Sequence, residues 1–215
     1  LVFVREGPNR SSLLQGGAPP FRWRYAAAIL RDRPVLLANL GYLGHMWELY
    51  AMWAWIAAYL SNSAVAFAAI AAGAPGCVIG GKLADRFGRT TITIASMAIS
   101  GACAAAIGLF YHSGGGALAA VAIIWGFAIV ADSAQFSACV TELGACEYLG
   151  TALTLQTSLG FLLTMFTIRL VPWVEAQIGK QWSFSVLAIG PVLGIVAMVA
   201  LRRNPAAVKI AGGRR

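Results

Sequence analysis

Polar residues cluster along this chain, and between the clusters run long uncharged apolar stretches. Six stretches, at 35–60, 64–81, 91–111, 117–139, 149–171 and 184–201, fall within or above the roughly 17–25 residues that a helix needs to cross about 30 Å of hydrocarbon. Helices are the expected form, because the membrane interior has no water to satisfy backbone N–H and C=O groups. The pattern predicts an all-α integral membrane domain of six transmembrane helices over 34–203. A segment at 1–33, broken by Gly7, Pro8, Gly16, Gly17, Pro19 and Pro20, reads as a partly disordered cytoplasmic linker. Its last part, from Phe21 through Arg33, suits a short helix lying along lipid headgroups. Residues 204–215 form a basic cytoplasmic tail.

Composition agrees. The chain is 59% hydrophobic and 11% charged, against about a quarter charged in a soluble domain. No apolar core follows a short basic start, so no secretory signal peptide is expected. Cys77, Cys103, Cys139 and Cys146 sit in or beside apolar runs without CxxC spacing, and read as small packing residues rather than metal or redox groups. A net charge of +8 would suit nucleic acid in a soluble protein, but its distribution points to a membrane. Fourteen of the sixteen Lys and Arg residues fall on one side of the six-helix map, and Arg169 and Lys180 alone on the other. The positive-inside rule then puts both termini in the cytoplasm. The loop at 141–147, on the same side, is acidic and adds nothing to that case. Tyr59, Tyr111, Trp173 and Trp182 fall at outer helix ends and Trp23, Tyr25 and Tyr148 at inner ones, as interfacial aromatics do. Anionic lipid accounts for the basic excess, and no nucleic acid partner is expected.

Ionisable residues inside a span cost about 2.5–3.5 kcal/mol each on the insertion scale. The first span carries two, His45 and Glu48, whose i, i+3 spacing puts them on one helical face. Gly41, Met52, Trp55 and Tyr59 continue that face, which looks like the lining of a cavity, while Leu36, Leu43, Met46 and Ala54 suit lipid. A Glu beside a His can form a proton- or substrate-binding pair, since either can change charge near neutral pH. The same two residues also fit an interhelical hydrogen-bonded packing pair. Zinc would need ligands beyond HxxE that the sequence does not supply, so neither metal nor cofactor is expected. In the fourth span Asp132 shares a face with Trp125, Ala128, Gln135 and Cys139, and suits a transport role or a buried cap equally. Thr151, Thr154, Thr157, Ser158 and Thr164 line one side of the fifth span, as packing hydroxyls or as a hydroxyl-lined substrate path. Gly76 with Gly80, and Gly190 with Gly194, suit close helix approach, and Pro75 and Pro191 suit bends.

Between the second and third spans lies Gly81-Lys82-Leu83-Ala84-Asp85-Arg86-Phe87-Gly88-Arg89-Thr90, expected to be a tight turn. It resembles the signature loop of the major facilitator superfamily at Gly81, Leu83, Ala84, Asp85, Arg86, Gly88 and Arg89, and departs from it at Thr90, where a basic residue is common. Stretches at 41–53, 132–138, 147–160 and 190–198 also look like segments of bacterial members, so the likeness covers 34–203. It implies one half of a twelve-helix transporter, made of two inverted three-helix repeats. The basic lead-in resembles the central linker of that family, which makes this the C-terminal half. The resemblance further implies a secondary transporter, not an enzyme, moving a small solute by alternating access with a proton as coupling ion. Its path would include His45, Glu48, Asp132, Gln135, Trp55, Thr154 and Ser158, and Asp85, Arg86 and Arg89, framed by Gly81 and Gly88, would form a cytoplasmic latch. Expected partners are the bilayer of a bacterial cytoplasmic membrane, the solute, H+ and an N-terminal six-helix half or a second copy. A degenerate half that only scaffolds or dimerises is the competing expectation.

Overall fold

Helix dominates residues 23–214, which the computed structural model describes, and no strand occurs among them. The α-helices are α1 (Trp23–Arg31), α2 (Arg33–Leu60), α3 (Ser63–Ala71), α4 (Gly73–Phe87), α5 (Arg89–Ala106), α6 (Gly115–Ala131), α7 (Ser133–Leu143), α8 (Leu149–Ile178) and α9 (Ile189–Arg203). Several run together. Five stretches are long and apolar enough to cross a membrane: Ser63–Phe87, Arg89–Phe110, Gly115–Leu143, Cys146–Ile178 and Lys180–Arg203.

The remaining long helix, α2, differs in chemistry rather than in length. Asp32 in an extended conformation and Pro34 in the first turn start it, and it runs 28 residues, or about 42 Å. Asn39, His45 and Glu48 make it less apolar than the other five. It tolerates them because its neighbours enclose it: half of its residues are buried, Met46 among them. The lipid-facing role expected for Met46 is therefore not what the fold uses. Mainly α8 and α9 cover α2, while α6 packs against α3, α4 and α5, and α5 against α9.

Glycine sets the closest approaches. A Cβ on Gly44 would run into the Gly190 carbonyl, and one on Gly126 into the Ala69 carbonyl. Gly76 and Gly80 likewise face the backbone carbonyls of Phe127 and Ala131. Backbones so close exchange dispersion contacts that larger side chains would prevent. Two apolar clusters result, one around Val35, Phe136, Met198 and Leu201, the other around Met52, Ile56, Trp125 and Phe184. At one end of the bundle Tyr59 Oη donates to the Gln181 carbonyl (2.8 Å) and Gln181 Nε2 to that of Gly108 (2.9 Å).

Several expected boundaries move. The segment at 81–90 is not a turn: α4 stays helical through Phe87, α5 begins at Arg89, and Gly88 alone joins them. Gly88 holds φ 97° and ψ 142°, a region that side chains disfavour, so one glycine does the work expected of a loop. The fifth span continues past Pro172 to Ile178. The second span breaks at Ala72, three residues before Pro75, and a 3₁₀ turn at Ser185–Ala188 precedes Pro191, as prolines near helix starts favour. The tail is ordered: Asn204 Oδ1 caps Ala206 N–H, and the stretch Pro205–Gly213, two short 3₁₀ turns with a non-helical kink at 210–212, buries Ala207 and Ile210 in the core. Of the lead-in, α1 turns Ala26 and Ile29 inward and stacks Tyr25 on Tyr148 with ring centroids 5.3 Å apart, so it docks on the bundle as well as suiting the interface. Residues 1–22 of the linker expected over 1–33 lie outside the described residues. Cys139 is buried, but Cys146 is exposed and does not pack as expected.

The glycine contacts give a direct test. Gly126→Val should lower the unfolding free energy in detergent micelles by about 1–3 kcal/mol, because α3 and α6 must part. Gly150→Ala, with nothing within 4 Å of the new Cβ, should leave the unfolding midpoint in place. Equal midpoints for both variants would contradict the close-approach account.

Candidate functional site

Near the middle of α2, His45 and Glu48 are 3% and 1% exposed, and Asp132 between α6 and α7 is 1% exposed. Glu48 lies about 22 Å along the helix from Arg33 and about 18 Å from Leu60, near the middle of α2. His45 Nδ1 is 3.0 Å from Asp132 Oδ1, an ion-pair distance in which the ring N–H is poorly aligned for a hydrogen bond. On its other side His45 Nε2 lies 3.1 Å from Ser133 Oγ, with the direction of that bond set by the ring tautomer. Glu48 is held separately. Its Oε1 accepts from Trp125 Nε1–H at 2.6 Å, and its Oε2 from Ser100 Oγ–H at 2.9 Å.

The two α2 residues thus share a face, as their spacing predicts, but they do not bond each other as the expected pair. An i, i+3 offset separates them by about 4.5 Å along the axis, enough for each to meet a different neighbour. Side chains also fill the stripe expected to line a cavity. Gly41 backs onto Met198 and Phe136, and Met52 and Tyr59 are buried in the apolar core.

At Asp132 the helix is interrupted without a proline or glycine. The residue ends α6 and precedes α7 with φ −97° and ψ −12°, and Gln135 N–H returns to its carbonyl at 2.9 Å. The break occurs where the carboxylate meets His45, with Ala131 and Asp132 buried, Ser133 half-buried and Ala134 exposed.

A second polar group lies at the bundle end that carries Gly88. Arg89 Nε and Nη2 both donate to Glu142, at 3.0 and 2.8 Å, forming a bidentate fork, and Nη1 donates to Gln135 Oε1 at 2.7 Å. Asp85 Oδ1 is 3.4 Å from Arg89 Nη1, and its side chain is 71% exposed. Glu142 Oε2 also accepts Ala211 N–H at 2.9 Å, which ties the tail to the same carboxylate. Two other segments of the chain, α5 and the tail, therefore converge on Glu142.

The remaining expected path residues go elsewhere. Gln135 serves Arg89, and Trp55 Nε1 donates to the Ile168 carbonyl at 2.8 Å. Thr154 and Ser158 are exposed on α8, away from the buried group, while Thr164 bonds its own helix at the Phe161 carbonyl. Arg86 is exposed with its guanidinium 5.2 Å from the Phe87 ring, and Gly81 is half-buried facing Gln135. Ser100, Ser133 and Glu142 escaped the sequence reading. Ser100 and Ser133 give no signal, being single hydroxyls in apolar or helix-starting contexts. Glu142 gave one: it is an acid at the end of an apolar span, on the side where Arg89 also lies.

No family model, curated protein or solved structure matches the chain. Among the described residues no three His, Cys, Asp or Glu side chains converge as a metal site. What the interior holds is two carboxylates and an imidazole, all buried, each meeting a partner across a helix boundary.

The Glu142 junction can be tested by exchange. Glu142→Ala removes the acceptor for Ala211 N–H and the fork on Arg89, so amide exchange at Ala211 should accelerate by about tenfold or more. Asp85→Asn, which weakens only a solvent-exposed ion pair, should change it little. Unchanged exchange in Glu142→Ala would remove the tail from this network.

Proposed function

We propose that the chain is a six-helix half of a secondary transporter of the major facilitator type, with α2 as its sixth membrane-crossing helix, and that it moves a small solute by alternating access coupled to protons. The observation that carries this reading is the buried group of His45, Glu48 and Asp132 near the middle of α2, in a bundle with membrane-length apolar helices. Ionisable side chains inside a span mark ion or substrate paths more often than they mark packing, because each is costly to keep there. Glu48 is the protonation site, with His45 and Asp132 as its neighbours in the buried group.

The packing pattern supports two inverted triplets. α2 lies against α8 and α9 much as α6 lies against α3, α4 and α5, while α5 meets α9, the exchange of partners that a pseudo-twofold between repeats generates. Arg89, Glu142 and Asp85 serve as a latch at the basic end. That end faces the cytoplasm of a bacterial inner membrane, on the strength of fourteen of the sixteen Lys and Arg residues. The exposed hydroxyls of Thr154 and Ser158 belong to the face that an N-terminal half, or a second copy, would cover to close a solute path.

A second reading is a scaffold or dimerisation half without transport. Its support is specific: both Glu48 oxygens are already occupied, by Trp125 and Ser100, and packed side chains meet the α2 stripe.

Proteoliposomes carrying the chain, alone and together with a partner half, separate the two. With an inward proton gradient and a panel of labelled small solutes, the transport reading expects accumulation that Glu48→Gln reduces to the level of empty liposomes. Full gradient-driven accumulation in Glu48→Gln would remove Glu48 as the coupling site. A strictly monomeric chain with no uptake in either format, in which Glu48→Gln changes only the melting midpoint, would leave the scaffold reading standing.

A further inference from the structure

Two adjoining cavities lie along the outer seam between α2 and α9. The larger, of about 520 Å³, is lined only by apolar residues, among them Leu37, Leu40, Trp47, Leu193 and Ala200. Gly44 and Gly190 form part of its wall, where the two backbones come closest. The indole N–H of Trp47 is spent on the Val186 carbonyl at 3.2 Å, so the ring offers this groove only its apolar body. From Leu37 to Trp47 the groove follows about 15 Å of helix, roughly the depth of one leaflet's hydrocarbon. The smaller cavity, of about 340 Å³, shares Ala200 with the first and is lined by Arg33, Arg203, Asn204 and Pro205. Both arginines are exposed, and neither has an ion-pair partner among the described residues.

An apolar trough one leaflet deep that opens onto two unpaired guanidinium groups has the polarity of an amphiphile with an anionic head. We infer that this seam binds one anionic phospholipid, its phosphate between Arg33 and Arg203 and one acyl chain in the groove beside Trp47. Arginine suits that head because its planar fork matches phosphate oxygens in pairs, and basic pockets between membrane helices recognise anionic headgroups in this way. A neutral lipid would fill the groove but leave both charges unanswered. Free phosphate would answer the charges but leave the groove empty. The inference needs only that the chain lies in a bilayer, so it stands apart from the transport reading.

Native mass spectrometry of the full chain in detergent micelles, with equimolar phosphatidylglycerol and phosphatidylcholine of matched chains, tests it. The wild type should retain phosphatidylglycerol with about tenfold preference, and the Arg33→Gln/Arg203→Gln double variant should fall to parity. Melting midpoints for both proteins confirm that the variant is folded. Brominated phosphatidylglycerol should quench Trp47, read as the difference between wild type and Trp47→Phe, and Ala200→Phe, which fills the junction, should reduce that quenching. Parity in the wild type, or a preference that survives the double variant, would overturn the inference. So would complete displacement by millimolar inorganic phosphate, or no quenching of Trp47, since either outcome means that no acyl chain occupies the groove.

Discussion

In hydrocarbon, two apolar helices gain little from touching each other rather than lipid, so a bundle is held by what lipid cannot offer: very close backbones and satisfied polar groups. Both act on α2. Its Gly44 meets the Gly190 backbone, its Glu48 takes hydrogen bonds from α5 and α6, and its His45 reaches Asp132 and Ser133. The least apolar of the long helices is consequently the most enclosed, and the five more apolar stretches form its surroundings.

That logic explains what could be read from sequence and what could not. Five of the expected span positions were legible because they follow from length and hydropathy, and they fall on stretches long and apolar enough to cross a membrane, although the second is interrupted at Ala72 and the fourth at Asp132. The face shared by Trp125, Ala128, Asp132, Gln135 and Cys139 was legible too, and all five are buried. Partners were not legible. A 3.6-residue period says that His45 and Glu48 look the same way, but not that Asp132 meets one and Trp125 the other. That depends on how far helices distant in sequence are offset along their axes. The joint at Gly88 was misread for a related reason: four charges and two glycines suggest a loop by composition, whereas Lys82, Asp85 and Arg86 sit comfortably on the last turns of a helix that emerges from the apolar region.

The buried group and the Glu142 junction resemble each other in design. Each spends a charged side chain on partners from more than one helix, so each links elements that share few residues in sequence. They differ in setting. Asp85 beside the junction is largely exposed, which makes its contribution weak and salt-sensitive, while the interior group has no such screening.

The break at Asp132 divides one long span into an upper rod, α6, and an eleven-residue lever, α7. The interior pair grips this lever at its pivot, through Asp132, and Arg89 grips it three residues on, through Gln135, and again near its tip, through Glu142. A lever held at both places cannot tilt at one without loading the other. The His45 contact and the Arg89 fork are thus attached to one short helix, within about 15 Å of each other along its axis.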